Sequence, residues 1–351
     1  MLMNDTLRMV VVGAGAIGST VAGWITPHYD NLFLLARGES GEAIKNRGLK
    51  SYLKGEIASA TPIPLNVIES LTEIPPPDIV VITVKNYDLD ETARQLREQL
   101  GDHEPLVVGL QNGTANQQIL PQYFSRVIYG VVSFNAWRDA PGEVGHDPEG
   151  YIVLGTPTND LQAEQQQIAE IFNLGLHCTP SDRLQDAVHS KLVINLANAL
   201  MTLVGFQLRP IQSFKVLVQL TTKLMWEGVQ VVQAAGFKEH RIGIIPPWNF
   251  VKMGAKLPAF ITAFLYKFNA KKLGLNSMSQ DVFGGKMTTE LESLNGYMLN
   301  LARQVGVAMP INEEVYEQAK VRFVANFQPM SEIELWAAVQ NRLKSAKNKM
   351  K

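Results

Sequence analysis

The chain has 351 residues, of which 46% are hydrophobic and 19% charged, and its formal net charge at pH 7 is −1. This length predicts two domains, and the near-neutral charge argues against nucleic-acid or anionic-membrane partners. The single cysteine, Cys178, excludes a disulfide framework and makes a cysteine-based zinc site unexpected. No signal-peptide pattern is seen, and apolar runs such as Leu257–Leu265 are too short to cross a bilayer. We therefore expect a cytoplasmic protein without a metal site or a membrane contact.

The first half of the chain alternates short apolar segments with helix-like segments. The helix candidates between them include Leu89–Leu100 and Ala115–Leu120. Short buried strands that alternate with helices predict a parallel, doubly wound sheet of the Rossmann type, in an α/β domain. The strand candidates are Met9–Val12, Asn31–Leu35, Ile79–Val84, Leu106–Leu110, Val127–Val132 and Tyr151–Leu154.

The pattern changes near Thr179–Asp182, beyond which strand signals nearly vanish and long helical segments follow. We predict a domain boundary here, with a Rossmann domain over residues 1–180 and an all-α domain over residues 181–351. The aromatic residues within His240–Leu275 are assigned to a packed helix face of the second domain. The helix candidates are Arg183–Val204, Ser213–Ala235, Glu290–Val305 and Glu313–Asn326.

A G-x-G-x-x-G motif follows the first strand candidate and leads into a helix candidate. Gly13 permits the tight turn, Gly15 allows a pyrophosphate to approach the backbone, and Gly18 allows close packing of strand and helix. The free N–H groups and the positive dipole of the helix would hold the pyrophosphate. This context favours a dinucleotide site over a glycine turn without a ligand. The intervening residues Ala14, Ala16 and Ile17 belong to the same predicted cofactor site.

Arg37 stands at the end of the second strand candidate, where NAD enzymes usually carry an acidic residue. A guanidinium can pair with a 2′-phosphate, which a carboxylate would repel. Glu39 lies two positions later and leaves NAD open, and an exposed loop arginine is the structural alternative. Arg37 therefore favours NADP(H).

Three polar residues share one face of an otherwise apolar helix candidate. Asn195 lies four positions after Lys191, and Asn198 lies seven positions after Lys191, so the three side chains share one helix face. A ketone that accepts hydride needs a proton donor at its oxygen, and partial burial would lower the pKa of the lysine toward a useful range. The alternative is a domain-interface helix whose polar groups bind neighbouring backbone.

Several segments together resemble the ketopantoate reductase (2-dehydropantoate 2-reductase) family, nearly from end to end. The resemblance implies an NADP-binding Rossmann domain, a helical C-terminal domain, an active site in the cleft between them and a step of pantothenate biosynthesis. The segments that carry it are Gly13–Gly18, Arg37, Val84–Lys85, Gln111–Gly113, Lys191–Asn195, Asn276–Asp281 and Thr289–Gly296.

The same resemblance implies roles for single residues. Lys191 would be the catalytic proton donor, Glu290 would act beside it, and Asn195 would bind substrate. Lys85 and Asn112 would contact cofactor or substrate at strand ends. The alternatives are that Lys85 is a solvated loop lysine and that Asn112 only forms part of a turn. Glu290 could equally be a helix N-terminal charge. Ala136 would line the cofactor site through its backbone.

The chain departs from the family pattern at two asparagine positions, which carry Ala199 and Arg209. Arg209 could hold a substrate carboxylate or point to solvent. The family serine falls at Asn276 or Ser277. The substrate-binding candidates are Asn112, Asn195, Asn198, Arg209, Asn276 and Ser277.

The expected function is NADPH-dependent reduction of a 2-keto acid to a 2-hydroxy acid, with 2-dehydropantoate as the leading substrate. The alternatives are a related two-domain hydroxyacid dehydrogenase with another substrate, and a non-catalytic NADP(H)-binding sensor. A small-molecule 2-keto acid is the expected partner, and a homodimer is a possible assembly.

Overall fold

The computed structural model describes residues 7–243, 245–270 and 275–349. Side chains are described for all of these residues except 265–270 and 346–349. It separates into two compact units, Met1–Val188 and His189–Lys351. The division falls within one helix, Leu184–Leu203, so this helix is shared by both units.

All eleven strands of the described residues lie in the first unit. An eight-stranded sheet has the order β11-β10-β7-β6-β5-β1-β2-β4, and a smaller sheet has the order β3-β9-β8. The strands are β1 (Met9–Val12), β2 (Leu32–Leu35), β3 (Lys50–Leu53), β4 (Asn66–Ile68), β5 (Ile79–Ile82), β6 (Leu106–Gly109), β7 (Val127–Val132), β8 (Ala136–Ala140), β9 (Glu143–His146), β10 (Tyr151–Gly155) and β11 (His177–Pro180).

All pairs of the large sheet are parallel except β7 with β10. Val12 is level with Leu35 on one side and with Ile82 on the other, so β1, β2 and β5 end together. Ligands of open parallel sheets bind outside such carboxyl ends. The continuous apolar runs of β1 and β5 are buried on both faces, as expected for parallel strands. The predicted doubly wound α/β fold is confirmed.

The smaller sheet was not predicted from the sequence. Its strand β8 reads AWRDA and is only partly buried, so it has neither a continuous apolar run nor a clear alternation. Its position depends on tertiary packing: a Cβ on Gly145 would lie 2.2 Å from the ring of Trp137, which therefore packs directly on the β9 backbone.

In the large sheet, Cys178 is buried in β11, and this burial raises the pKa of its thiol.

Beyond β11 the described residues form helices, as predicted for the second half of the chain. None of the helices in the described part is long and apolar enough to span a membrane. The α-helices of the described residues are α1 (Ala16–Ile25), α2 (Gly38–Arg47), α3 (Asn86–Leu100), α4 (Asn116–Ile119), α5 (Gln162–Phe172), α6 (Leu184–Leu203), α7 (Phe214–Ala234), α8 (Trp248–Lys256), α9 (Ala259–Ala270), α10 (Ser277–Phe283), α11 (Tyr297–Val305), α12 (Pro310–Arg322) and α13 (Glu332–Lys349).

Helix α7 is the centre of the second unit and packs against α8, α9, α11, α12 and α13. Ser213 caps its first turn by accepting a hydrogen bond from the Val216 N–H. One predicted helix differs in kind: the segment before α11 is a π-helix, Glu292–Gly296, rather than a regular α-helix. Such single π-turns are often found at functional sites.

The prediction of a packed aromatic face in His240–Leu275 is wrong for two of its residues. Phe260 and Phe264 are 65% and 66% exposed. The buried face of α9 is instead marked by Thr262, whose hydroxyl donates to the Gly254 carbonyl at 3.1 Å. The side chains of Tyr266 and Phe268 lie outside the described residues.

Candidate active site

The glycine motif forms the turn between β1 and α1. Gly13 has a φ of +106°, a conformation that glycine adopts readily. A Cβ on Gly18 would lie 2.0 Å from the Gly13 carbonyl oxygen, so only glycine permits this strand–helix contact. Thr83 donates to the same Gly13 oxygen at 3.2 Å and braces the turn. A Cβ on Gly15 would meet nothing within 4 Å, which leaves open space over the start of α1.

A cavity of about 290 Å³ extends from this turn to the ends of β2 and β5. Its walls include the glycine turn from Gly13 to Gly15, Arg37 at the end of β2, Ser40 in the first turn of α2, and Gln95 on α3. Arg138 of β8 also lines it. The structure thus brings the predicted pyrophosphate and 2′-phosphate determinants to one cavity. Ala16, Ile17 and Gly18 continue into α1.

Two hydrogen bonds orient the exposed Arg37 side chain. Its Nε donates to the Glu69 carbonyl at 2.9 Å, and its Nη1 donates to Gln95 Oε1 at 3.2 Å. Its Nη2 makes no hydrogen bond to any described residue. Glu39 is exposed and does not line the cavity, and no carboxylate belongs to the described residues that do.

Lys85 and Asn112 follow the neighbouring strands β5 and β6. Lys85 is the N-cap residue of α3, and the side chain of the next residue, Asn86, donates to the Asn112 carbonyl at 2.8 Å. Gln111 donates to the Ile82 carbonyl at 2.8 Å and ties the two strand ends together. Both predicted residues therefore lie at the carboxyl edge of the sheet. Ala136, at the start of β8, is partly buried, and none of these three predicted residues lines the cavity beside Arg37.

In the second unit, α6 carries Lys191, Asn195 and Asn198 as the spacing predicted. Asn195 is buried, and its Nδ2 has no hydrogen-bond partner in the part of the chain that the structure describes. A buried amide N–H that lacks a partner is costly, and a bound ligand would satisfy it. The Asn198 carbonyl accepts hydrogen bonds from Thr202 Oγ1 at 2.8 Å and Asn276 Nδ2 at 3.5 Å.

Lys191 and Glu290 are electrostatically coupled. Burial of the ammonium group lowers the pKa of Lys191 to about 8, and the attraction of the Glu290 carboxylate opposes this shift. Glu290 itself is buried, with 3% of its surface exposed. The pair therefore combines an ammonium group of lowered pKa with a buried carboxylate.

The π-helical segment after Glu290 is anchored to α6 by Asn295. This asparagine is fully buried, and its Nδ2 donates to the Leu196 carbonyl at 3.3 Å. The anchor connects the backbone that carries Glu290 with the helix that carries Lys191. Sequence reasoning quoted the motif that contains Asn295 but assigned this residue no role.

Asn276 and Ser277 lie at the start of α10. Asn276 is its N-cap residue and accepts a hydrogen bond from the Ser279 N–H at 2.9 Å. Ser279 in turn shares a hydrogen bond of 2.9 Å with Thr202 on α6. The Ser277 hydroxyl has no hydrogen-bond partner among the described residues. The two candidates therefore differ: the Asn276 side chain makes two hydrogen bonds, whereas the Ser277 hydroxyl makes none with the described residues.

Arg209 has its partners within the second unit. Its guanidinium donates to the Pro210 and Met330 carbonyls at 3.0 and 2.9 Å and to Glu332 Oε2 at 3.1 Å. The Glu332 side chain is completely buried, so Arg209 supplies the positive charge that this carboxylate requires. Ala199 is also fully buried.

Comparison with known proteins supplies the family. The first half, residues 9–159, matches the model "Ketopantoate reductase PanE/ApbA", and residues 183–322 match its C-terminal counterpart. A 2-dehydropantoate 2-reductase from Archaeoglobus fulgidus is 27% identical over 317 residues, covering 87% of this chain and 94% of that protein.

Solved structures agree with this match. The crystal structure of a 2-dehydropantoate 2-reductase from Geobacter metallireducens has a TM-score of 0.71 at 25% identity and covers 90% of this chain and 99% of its own. A D-mandelate dehydrogenase with NADH and anilino(oxo)acetate has a TM-score of 0.72 at 17% identity, covering 92% and 100% of the two chains. The second likeness shows a shared fold.

Proposed function

Because the chain belongs to the ketopantoate reductase PanE/ApbA family, we propose that it reduces a 2-keto acid with NADPH and uses Lys191 as the proton donor. As a member of this family it is an oxidoreductase that acts on CH–OH groups. The leading substrate is 2-dehydropantoate, which would become pantoate. The observation that carries the proposal is the coupling of Lys191, with its pKa lowered to about 8, to the buried Glu290 carboxylate.

The first unit fits a dinucleotide. The open space over Gly15 and the uncapped start of α1 suit a pyrophosphate, and Arg37 with no carboxylate in the described cavity wall suits a 2′-phosphate. Lys85, Asn112 and the backbone of Ala136 are proposed as further cofactor contacts. The bound cofactor would supply the hydride.

Lys191 would donate a proton from Nζ to the keto oxygen as negative charge develops there. With a pKa of about 8, Lys191 is protonated in most molecules at pH 7, and its proton is easier to transfer than that of an ordinary lysine. Glu290 stabilises the ammonium form and thereby maintains the donor. The carboxylate is proposed to hold the lysine in place between turnovers.

The proposed substrate ligands are asparagine side-chain amides and one serine hydroxyl. The unpartnered Nδ2 of Asn195 is suited to donate to the substrate carboxylate or keto oxygen. Asn112, Asn198, Asn276 and Ser277 complete this set. Arg209 is omitted because it already pairs with a buried carboxylate, and we propose that it holds the start of α13 instead.

A different 2-keto acid is the second candidate, because Ala199 is buried where the family pattern has an asparagine. Purified protein should be mixed with NADPH and 2-dehydropantoate, or with 2-keto acids of other side chains, while absorbance at 340 nm is followed. Fast oxidation with 2-dehydropantoate supports the leading substrate. Activity only with another acid supports the second candidate, whereas tight NADPH binding without turnover of any acid would refute the reductase proposal.

A further inference from the structure

We propose that Arg138 is a second specificity residue, which binds the 2′-phosphate of NADPH together with Arg37. The inference rests on the proposed NADP(H) site and deepens it. It assigns a role in cofactor selection to the small sheet of β3, β9 and β8. This sheet lies outside the doubly wound sheet that carries the glycine turn.

The geometry places both arginines at the start of one helix. Arg37 is the N-cap residue of α2. The Arg138 Nη1 donates a hydrogen bond of 3.2 Å to the hydroxyl of Ser40, which is buried in the first turn of the same helix. Arg37, Ser40 and Arg138 all line the cavity that begins at the glycine turn. One guanidinium group from the connection between β2 and α2 and one from β8 thus reach the same cavity.

Neither guanidinium is neutralised there. Arg138 forms no ion pair with any described residue, and its only hydrogen bond there is the one to Ser40. The adjacent carboxylate of Asp139 accepts hydrogen bonds from the Tyr52 hydroxyl at 2.6 Å and from Trp137 Nε1 at 3.1 Å. A cavity wall with two positive side chains and no carboxylate among its described residues favours an anion.

The free donors match the chemistry of a phosphate monoester. Arg37 uses Nε and Nη1 within the protein and keeps Nη2, whereas Arg138 uses only Nη1. Phosphate oxygens accept several charge-assisted hydrogen bonds, and arginine presents its N–H groups in a planar fork that suits them. NADH carries a hydroxyl at the same position and would gain little from a second cation.

The position of Arg138 is fixed by the packing of β8. Arg138 pairs in register with Val144 of β9, and its neighbour Trp137 packs on Gly145. These contacts hold the strand up to Arg138, and the β8–β9 register shifts between Arg138 and Ala140. The Arg138 side chain is therefore carried by a strand. A strand loses less conformational freedom when a ligand binds than a mobile loop would.

The test is calorimetric titration of the wild type, Arg138→Gln and Arg47→Gln with NADPH and with NADH. Arg47 is an exposed arginine at the far end of α2 and controls for a general change in charge. We expect Arg138→Gln to weaken NADPH binding about tenfold, as loss of a charge-assisted contact implies, and to leave NADH binding nearly unchanged. Arg47→Gln should resemble the wild type with both cofactors.

A second measurement uses adenosine 2′,5′-bisphosphate and 5′-AMP, which separate the 2′-phosphate from the nicotinamide. The wild type should prefer the bisphosphate, and Arg138→Gln should lose much of this preference. An Arg138→Gln variant that still selects NADPH as the wild type does, or that weakens both cofactors equally, would overturn the role of Arg138 alone. A wild type that binds neither cofactor would overturn the proposed function itself, and equal binding of both would overturn NADP selectivity.

Discussion

The side-chain amide of Asn295 donates a hydrogen bond to the main-chain carbonyl of Leu196 at 3.3 Å. This contact joins the π-helical segment after Glu290 to α6, five residues beyond Lys191 and one beyond Asn195. The proposed acid–base pair thus lies on two backbone segments that are held together by a buried hydrogen bond. Asn295 is accordingly a positioning residue in the proposed reaction.

Asn295→Ala removes this connection, and we expect it to lower kcat more than it raises KM. The variant should also shift the alkaline limb of the pH–rate profile, because Glu290 would stabilise the Lys191 ammonium less well. Loss of the hydrogen bond should reduce stability by about 1–2 kcal/mol. Steady-state kinetics between pH 6 and 10, with a thermal melt, separate these effects. A stable variant with an unchanged profile would contradict the positioning role.

Lys191→Ala removes the proposed proton donor, and we expect kcat to fall by about 10²–10⁴-fold, the usual contribution of general acid catalysis. NADPH affinity should change little, because the cavity with Arg37 belongs to the first unit. Stopped-flow turnover and calorimetric NADPH titration measure the two quantities. Lys215→Ala on the exposed face of α7 is the matched control. Near-normal turnover of Lys191→Ala would show that another group donates the proton.

Glu290→Gln tests the electrostatic coupling. The reaction requires protonated Lys191, so the rate should fall as pH rises through a pKa of about 8. Glu290 raises this pKa, and its neutralisation should therefore move the alkaline limb to lower pH. Glu292→Gln is the control because Glu292 contacts the Tyr316 hydroxyl instead, at 2.6 Å. An alkaline limb that stays in place, or moves to higher pH, would contradict the coupling.

Local sequence patterns predicted the parts of the fold and site that depend on neighbouring residues. The apolar runs predicted the central strands, and the four-residue spacing of Lys191 and Asn195 predicted a shared helix face. Glycines at 13 and 18 predicted the turn because the steric requirement is met within one strand–helix unit. The proposed roles of these residues in catalysis and binding stay predictions.

Features created by long-range packing were not visible in the sequence. Strand β8 lacks an apolar pattern and is held by its neighbours, so Arg138 was given no role. The π-helical segment uses i→i+5 hydrogen bonds that a search for the 3.6-residue period does not distinguish. Arg209 pairs with Glu332, which is 123 residues away in the chain. An ion pair of that separation has no local signature.

Arg209→Met tests whether this arginine serves stability or substrate binding. Glu332 would remain buried without its cation, and we expect a loss of about 3 kcal/mol in the free energy of unfolding. The KM for the 2-keto acid should stay close to the wild-type value in the folded fraction. Arg303→Met, an exposed arginine on α11, is the control. A large rise in KM with unchanged stability would instead assign Arg209 to the substrate carboxylate.

The buried Glu227 carboxylate should make the stability of the start of α12 depend on pH. Its carboxylate accepts hydrogen bonds from the Ile311 and Asn312 N–H groups at 3.1 Å, while burial raises its pKa from 4.5 to about 7. The folded state therefore binds this proton more tightly than the unfolded state, so the associated stability is present below pH 4.5 and is lost as pH rises toward 7. The full effect is about 3 kcal/mol.

Hydrogen exchange of the Ile311 and Asn312 amides measures this effect locally, independently of the first unit. After correction for the intrinsic rate, protection in the wild type should decrease between pH 5 and pH 7. Glu227→Gln keeps an acceptor oxygen but cannot titrate, so its protection should be nearly independent of pH over the same range. If protection in the wild type instead stays constant between pH 5 and pH 7, the hydrogen bonds from the two N–H groups outweigh burial and Glu227 is ionised throughout.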